Sequence, residues 1–121
     1  MAESKYIIRS DENGKVEIST DVIAVIAGIA ALEVDGVASI VGGTTSENIG
    51  KQSQKNLAKG IRVEVLEDSA KIDIAVNLKF ESEIPSVVPM IQEKIKSNVE
   101  TMIGAQIKEV NIKIAGIEAE G

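Results

Sequence analysis

Residues Ser19–Leu32 read STDVIAVIAGIAAL, and this segment has the marks of a helix without a polar face. Ser19 or Thr20 can cap a helix, because a hydroxyl oxygen accepts a hydrogen bond from a free backbone N–H of the first turn. Asp21 complements the helix dipole. No further charged side chain occurs before Glu33, whereas a surface helix of a small domain normally has one polar side. We therefore predict a helix that is covered on both sides, by a sheet and by a second apolar surface.

The composition limits the chain to one domain with an aliphatic core. It has 121 residues, of which 44% are hydrophobic and only 2% are aromatic. Core side chains must therefore come mainly from Val, Ile, Leu, Ala and Met, and the β-branched ones favour a sheet. The net charge of −6 argues against a general nucleic-acid binder, since phosphate affinity comes from Lys and Arg.

The remaining pattern predicts an α+β domain of two layers. A mainly antiparallel sheet of about five strands packs with two helices, at roughly residues 19–34 and 86–103. The second helix starts between Ser86 and Pro89, because two prolines cannot both lie in a helix interior. Gly36 and Gly104 end the two helices. The clearest strands are Ile61–Val65 and Ala70–Phe80, which form an antiparallel hairpin, and a short strand at Val37–Val41 and a final strand at Val110–Ile114 complete the pattern.

We expect a single domain at residues 14–117. Residues 1–13 are either partly disordered or one arm of a hairpin that turns at Asn13-Gly14, and residues 118–121 form a tail. Residues 42–60 are rich in Gly, Ser, Thr, Asn and Gln and predict a long excursion. The apolar run is shorter than the roughly 20 residues that span a bilayer, and no signal peptide precedes it, so a soluble intracellular protein is expected.

The side chains that most often carry catalysis are missing. The chain has no His and no Cys, which removes the usual general base near neutral pH, the usual soft nucleophile and any disulfide. Pairs of acidic residues are the remaining candidates for acid–base chemistry or for Mg²⁺ or Ca²⁺ binding. These pairs are Asp11-Glu12, Glu33 with Asp35, Glu67-Asp68, and Glu81 with Glu83. All lie at predicted turns, where solvation explains them, so we expect no catalytic, cofactor-binding or metal-binding residue.

Three lysines form a regular row within the polar excursion. Lys51, Lys55 and Lys59 are spaced i, i+4, i+8, so a helix there would align them on one face. Such a row is a candidate contact for an anionic partner, such as anionic lipid, an acidic protein or RNA. The alternative is a solvated loop without a partner.

The apolar helix has two competing explanations. In the first, the larger residues Val22, Val25, Ile26 and Ile29 face the sheet, while small residues face the second helix and permit close approach. In the second, the helix mediates self-association. The small residues of the first explanation are Ala24, Ala27, Gly28 and Ala31. The candidate self-association residues are Val22, Ala24, Val25, Ile26, Gly28, Ile29 and Ala31.

Several of these segments together resemble the alkaline shock protein family, the envelope stress response proteins of Gram-positive bacteria. The resemblance covers about residues 14–117 and depends on the order and spacing of weak aliphatic and glycine motifs. The matching segments are Gly14–Ser19, the apolar helix, Glu33–Val37, Lys59–Val65, the long strand, Ile84–Val99, Met102–Gly104 and Val110–Ile114. Two departures occur. The family usually has an aromatic-glycine pair where this chain has Phe80-Glu81, and commonly a threonine where it has Ile103.

The resemblance implies a non-enzymatic cytoplasmic protein that self-associates as a homo-oligomer. Some members lie at the inner face of the cell membrane, where a membrane-anchored partner holds them. Others look like modulators linked to fatty-acid synthesis, with acetyl-CoA carboxylase as the suspected client. The leading hypothesis is thus a stress-response protein that docks to a membrane-anchored partner, and the alternative is a regulatory partner of a metabolic enzyme. An RNA-binding module is disfavoured by the acidic balance and the lack of stacking aromatics, and a carboxylate-based enzyme is a fourth class.

Overall fold

The computed structural model describes residues 6–41, 44–45, 60–66 and 69–119, with side chains from residue 12 onward except at 44–45. It confirms the predicted α+β class. Within these ranges, two helices pack on one face of a five-stranded sheet, and a separate hairpin precedes them. The elements are β1 (Tyr6–Asp11), β2 (Gly14–Ser19), α1 (Thr20–Leu32), β3 (Val37–Ile40), β4 (Thr44–Thr45), β5 (Ile61–Val65), β6 (Ser69–Lys79), α2 (Ile84–Ile103) and β7 (Gln106–Glu118).

Strand β6 is the centre of the five-stranded sheet. On one side β7 runs parallel to it along its whole length. On the other side β5 and β3 lie one after the other, both antiparallel to β6, and β4 continues beyond β3. The antiparallel β5–β6 hairpin was predicted. The parallel β6–β7 pair is possible because α2 supplies the long crossover that parallel strands require.

Gly60 lies where the ends of β3 and β5 meet beside β6. Ala75 is shared by both: its carbonyl accepts from the Val41 N–H at 3.0 Å, and its own N–H donates to the Gly60 carbonyl at 3.2 Å. A Cβ atom at position 60 would collide with the Val41 carbonyl and lie 2.7 Å from Cγ2 of Ile40. Only glycine therefore permits the two strand ends to approach this closely.

The core lies between the sheet and the helices. Alternate residues of β6 are buried beneath the helices, as its period of two predicted, and α2 contributes a buried side at helical spacing. The buried residues of these two elements include Ile72, Ile74, Val76, Leu78, Ile91, Ile95 and Val99. On the other face of β6, Asp73 and Lys79 are exposed and Lys71 and Asn77 are half-buried.

The ends of the helices follow local chemistry, with one correction. The Ser19 hydroxyl caps α1 by accepting from the Asp21 N–H at 3.1 Å. Helix α2 begins at Ile84, so the predicted start between Ser86 and Pro89 was wrong. Pro85 falls in the first turn, where a missing N–H costs nothing, and the helix continues through Pro89 at one lost backbone hydrogen bond.

Among the described residues, four have a positive φ, and one of them is Gly14 of the first hairpin, at φ 132°. Gly36 follows α1 at φ 101° and Gly104 ends α2 at φ 73°. Glu81 also has a positive φ, of 75°, although it carries a Cβ atom. In the hairpin, Asp11 pairs with Gly14, so the two-residue turn is Glu12-Asn13, one residue earlier than predicted.

Candidate interaction surface

Helix α1 packs its small residues inward. It lies against α2 on one side and against β3 and β5 on the other. The residues that it buries are Ile23, Ala24, Ala27, Gly28, Ala30, Ala31 and Leu32. Because most of these are Ala or Gly, the helix backbone approaches its neighbours closely. Packing within the chain therefore explains why the inner side of the helix has no polar residue.

Four of the larger aliphatic residues of α1 lie on the outer side, whereas Ile23 and Leu32 are buried. Val22 is 40% exposed and Ile29 is 36% exposed, while Val25 and Ile26 are half-buried. We call these four residues the α1 row. The arrangement in which all four face the sheet is therefore wrong for Val22 and Ile29. The helix is rotated so that Ile23, Leu32 and the small residues fill the inner space, which leaves the α1 row on the outer side.

The α1 row is bounded by charges at its ends. Asp21 is exposed beside Val22, and Glu33 forms an ion pair with Lys94 of α2 at 3.6 Å. Both members of that pair are about half exposed, so it contributes little to stability. Between these charges the helix presents only aliphatic side chains to solvent, which suits contact with an apolar protein surface.

The other predicted candidates are not brought together. Glu83 accepts a hydrogen bond from Ser86 at 3.4 Å, and Glu33 is paired with Lys94. Asp35, Glu81 and Glu12 are exposed or nearly so, at turns of the chain. The described ranges contain no group of three acidic residues placed to hold a metal ion. Lys51, Lys55, Lys59, Glu67, Asp68 and the side chain of Asp11 lie outside the described part of the structure.

A buried polar cluster was missed by sequence reasoning. Ser39 is only 4% exposed, and its hydroxyl donates to Oε2 of Glu118 at 2.6 Å and accepts from Nδ2 of Asn77 at 3.0 Å. The three residues join β3, β6 and β7. Ser39 sits within the apolar run VASIV, where nothing in the sequence marks it as a partner of residues so far along the chain. The cluster is a structural tie, since the Ser39 hydroxyl is satisfied as donor and as acceptor within it.

An open cleft of about 700 Å³ lies near the N-terminus of α1. It crosses β5, β6 and β7 around Ile61, Ile74 and Ile112. Its charged lining residues are Asp21, Arg62, Asp73 and Lys113. Because both signs are present in equal number, the cleft does not favour a ligand of one charge. None of the described helices is both long and apolar enough to cross a membrane.

Comparison with known proteins identifies relatives of this chain. YqhY of Bacillus subtilis is 41% identical over 105 residues, which cover 87% of this chain and 78% of that protein. Spy1535 of Streptococcus pyogenes is 38% identical over 108 residues, which cover 88% of this chain and 81% of that protein. A Streptococcus pyogenes protein named stress response regulator gls24 homolog is 24% identical over 88% of this chain and 60% of its own length.

The fold also resembles solved structures. The structure named MamM-CTD H285A superposes with a TM-score of 0.51 over 85% of this chain and 100% of that one, at 14% sequence identity. At this identity the similarity concerns the fold alone. The family model of the alkaline shock proteins, which is described by a cell envelope-related function, matches residues 9–119. The chain therefore belongs to the alkaline shock protein family, whose function is related to the cell envelope.

Proposed function

We propose that this protein is a non-enzymatic, self-associating cytoplasmic component of the cell-envelope stress response that docks to a membrane-anchored partner. Its family and the stress-response name of a relative support the process. The absence of His and Cys from the sequence supports a role in binding rather than in catalysis.

The observation that carries the proposal is the α1 row. Single exposed aliphatic residues are common on protein surfaces, but here Val22 and Ile29 are exposed on the same side of one helix with two half-buried aliphatics between them. A second copy that covers this row would remove its apolar surface from water. A fully exposed aliphatic side chain gains about 1.5–3 kcal/mol on complete burial, and Val22 and Ile29, at 40% and 36% exposed, gain part of this, so the row contributes to a weak contact that neighbouring residues must extend.

The test compares the wild-type chain with the double variant Val22→Lys/Ile29→Lys by sedimentation equilibrium. Lysine keeps a helix-compatible stem, so circular dichroism should show an unchanged fold. We expect the association constant to fall at least about tenfold, because two charges would be buried in the contact. Met102→Lys is the matched control: Met102 is 68% exposed on α2, and its replacement should leave association unchanged. Equal association of the double variant and the wild type would contradict the role of the α1 row.

The docking partner is tested by quantitative affinity purification from the native cell. The proposal expects enrichment of a membrane-anchored protein. Enrichment of acetyl-CoA carboxylase subunits instead would support the regulatory alternative, and enrichment of RNA would support a nucleic-acid module.

For the lysine row, we propose that Lys51, Lys55 and Lys59 contact an anionic surface of the partner. Reversal of all three charges to Glu should reduce co-purification, whereas unchanged recovery and unchanged flotation with anionic vesicles would remove this proposal.

A further inference from the structure

Strand β7 has an outer edge that pairs with no described strand. Two hydrogen bonds show to which side the backbone groups of β6 point, and from this the outward groups of β7 can be derived. One bond is made by a residue within β6 and the other by the residue just after its end. The Phe80 N–H donates to the Glu118 carbonyl of β7 at 2.8 Å, whereas the Ala75 N–H donates to Gly60 on the opposite side. Even-numbered residues of β6 therefore direct their backbone groups toward β7. In a parallel pair each of them bonds to the two neighbours of the residue opposite it.

This pattern assigns the two sides of β7. Ile72 and Ile74 lie opposite Val110 and Ile112, so the backbone groups of Asn111 point inward to β6. The N–H and C=O groups of Val110, Ile112 and Ile114 consequently point away from the sheet.

Helix α2 protects only the first half of this edge. The carboxylate of Glu100 accepts from the outward Ile107 N–H at 2.8 Å, and Nε2 of Gln92 donates to the outward Val110 carbonyl at 3.1 Å. The described residues provide no such partner for the outward groups of Ile112 and Ile114. Natural edge strands are usually capped, charged or shortened to prevent pairing, so a half-protected edge indicates a strand that takes a partner.

There is space beside this edge. A groove of about 350 Å³ runs between α2 and β7. Its lining residues are Pro89, Gln92, Glu93, Lys96, Ile107, Lys108, Glu109 and Val110. A helix beside an open strand edge is the arrangement into which proteins that bind by strand addition receive an extended segment.

The sequence of the edge is complementary to itself. Glu109, Asn111 and Lys113 lie on the sheet face away from the helices, where they neighbour Lys71, Asp73 and Ala75. If a second β7 runs antiparallel with the two Asn111 residues opposite each other, Glu109 of each copy faces Lys113 of the other. Val110 of each copy then faces Ile112 of the other on the helix side, where the Val110 N–H is directed outward and the Val110 carbonyl, which accepts from Gln92, has a second lone pair for the Ile112 N–H.

We propose that the outer edge of β7 pairs with the same strand of a second copy, antiparallel, about a two-fold axis at Asn111. Alternative registers are less favourable. An axis at Lys113 places two lysines opposite each other, and an axis at Ile112 leaves Glu109 opposite Ala115. In the proposed register the Glu–Lys pairs are non-hydrogen-bonded pairs, in which side chains lie closest. The proposal rests on the proposed function only in that copies of the chain associate, and it uses a surface other than the α1 row.

The first test uses the absence of cysteine from the chain. In an Asn111→Cys variant the two thiols meet at the axis, within the Cα separation of less than about 7 Å that a disulfide requires. The matched control is Asp73→Cys, one strand inward on the same face. Asp73 accepts the 2.9 Å hydrogen bond that Asn111 donates, so both variants lose the same contact. Two Asp73 positions would be about 14 Å apart, given strand spacings of about 4.8 Å.

We expect Asn111→Cys to form a covalent dimer under mild oxidation at least about tenfold faster than Asp73→Cys. Equal rates, or no dimer from either variant, would overturn the proposal. A peptide of residues 107–116 should compete for the edge and slow this cross-linking. Cross-linking of Asn111→Cys that is unchanged by an excess of the peptide would also contradict strand pairing.

The second test reverses charges. Glu109→Lys or Lys113→Glu alone should slow cross-linking of Asn111→Cys about tenfold, because each creates two like-charged pairs between the copies. Glu109→Lys also removes the 4.0 Å ion pair of Glu109 with Lys71 within each chain, so Lys113→Glu is the cleaner single variant. The double reversal restores opposite charges and should restore the rate. A double variant as slow as the single variants would contradict the register.

The same cross-linking in the Val22→Lys/Ile29→Lys background separates the two interfaces. If Asn111→Cys does not cross-link while the Val22→Lys/Ile29→Lys substitutions still weaken association, the β7 contact is wrong and the α1 row stands. Persistent cross-linking with no effect of the α1 substitutions on association refutes the α1 row and leaves the β7 contact standing.

Discussion

Gly60 shows how one residue without a side chain holds two strand ends together. The ends of β3 and β5 both bond to Ala75, and a methyl group at position 60 would overlap the Val41 carbonyl. The obstacle is backbone, which cannot rotate away as a side chain can. The glycine was visible in the sequence, but its role depends on a contact between strands that are distant along the chain.

We expect Gly60→Ala to lower the free energy of unfolding by about 2–4 kcal/mol, since β3 and β5 must separate to admit the methyl group. Urea denaturation followed by circular dichroism measures this change. Gly116→Ala is the control, because its Cβ would meet only the side chain of Asn77, whose oxygen lies at 3.0 Å and can move. A Gly60 variant as stable as the Gly116 variant would show that the close approach is not required.

Glu81 carries backbone strain in the turn between β6 and α2. Its φ of 75° lies in the left-handed region, which costs a residue with a Cβ atom about 1–2 kcal/mol. Glu81→Gly should therefore raise the free energy of unfolding by about 0.5–1 kcal/mol, measured by thermal or urea denaturation. Glu83→Gly is the control: Glu83 has φ −91° and its side chain makes no cap hydrogen bond, so this glycine should bring no gain. A destabilised Glu81→Gly variant would contradict the strained turn.

Most elements could be predicted because their apolar residues recur with a clear period. The long strand alternates polar and apolar residues, and α2 repeats its apolar residues every three or four positions. The rotation of α1 could not be predicted in this way. Nearly every residue from Val22 to Leu32 is apolar, so hydrophobicity alone does not show which side faces the core. In the structure the Ala and Gly residues are inside together with Ile23 and Leu32, so side-chain size alone does not show it either.

The rotation of α1 is tested by enlarging one residue on each side. Ala27 is fully buried, so Ala27→Leu should overpack the helix contact and cost about 1–3 kcal/mol of unfolding free energy. Val25 belongs to the half-buried part of the α1 row, so Val25→Leu should change the stability by no more than about 0.5 kcal/mol. The opposite order of the two effects, in urea denaturation, would place Val25 rather than Ala27 in the core.

The candidate surfaces needed tertiary information that a single sequence lacks. The apolar helix was recognised as unusual, and the structure added which four residues it leaves outside. The final strand was expected to be short, at Val110–Ile114, whereas β7 runs from Gln106 to Glu118 parallel to β6. Its open edge follows from strand order, which no local pattern encodes. The Ser39 cluster likewise joins three strands that lie far apart in sequence.

The described part of the molecule has one polar sheet face, one helical layer and two surfaces suited to a second copy, the α1 row and the outer edge of β7. The proposed function uses these two surfaces for contact with a second copy, in keeping with the chain's membership of an envelope-related family. Sedimentation velocity of the unmodified chain over a broad concentration range measures the contact itself. We predict an average mass that rises with concentration from monomer toward dimer and beyond. A single monomeric species at every concentration would contradict self-association.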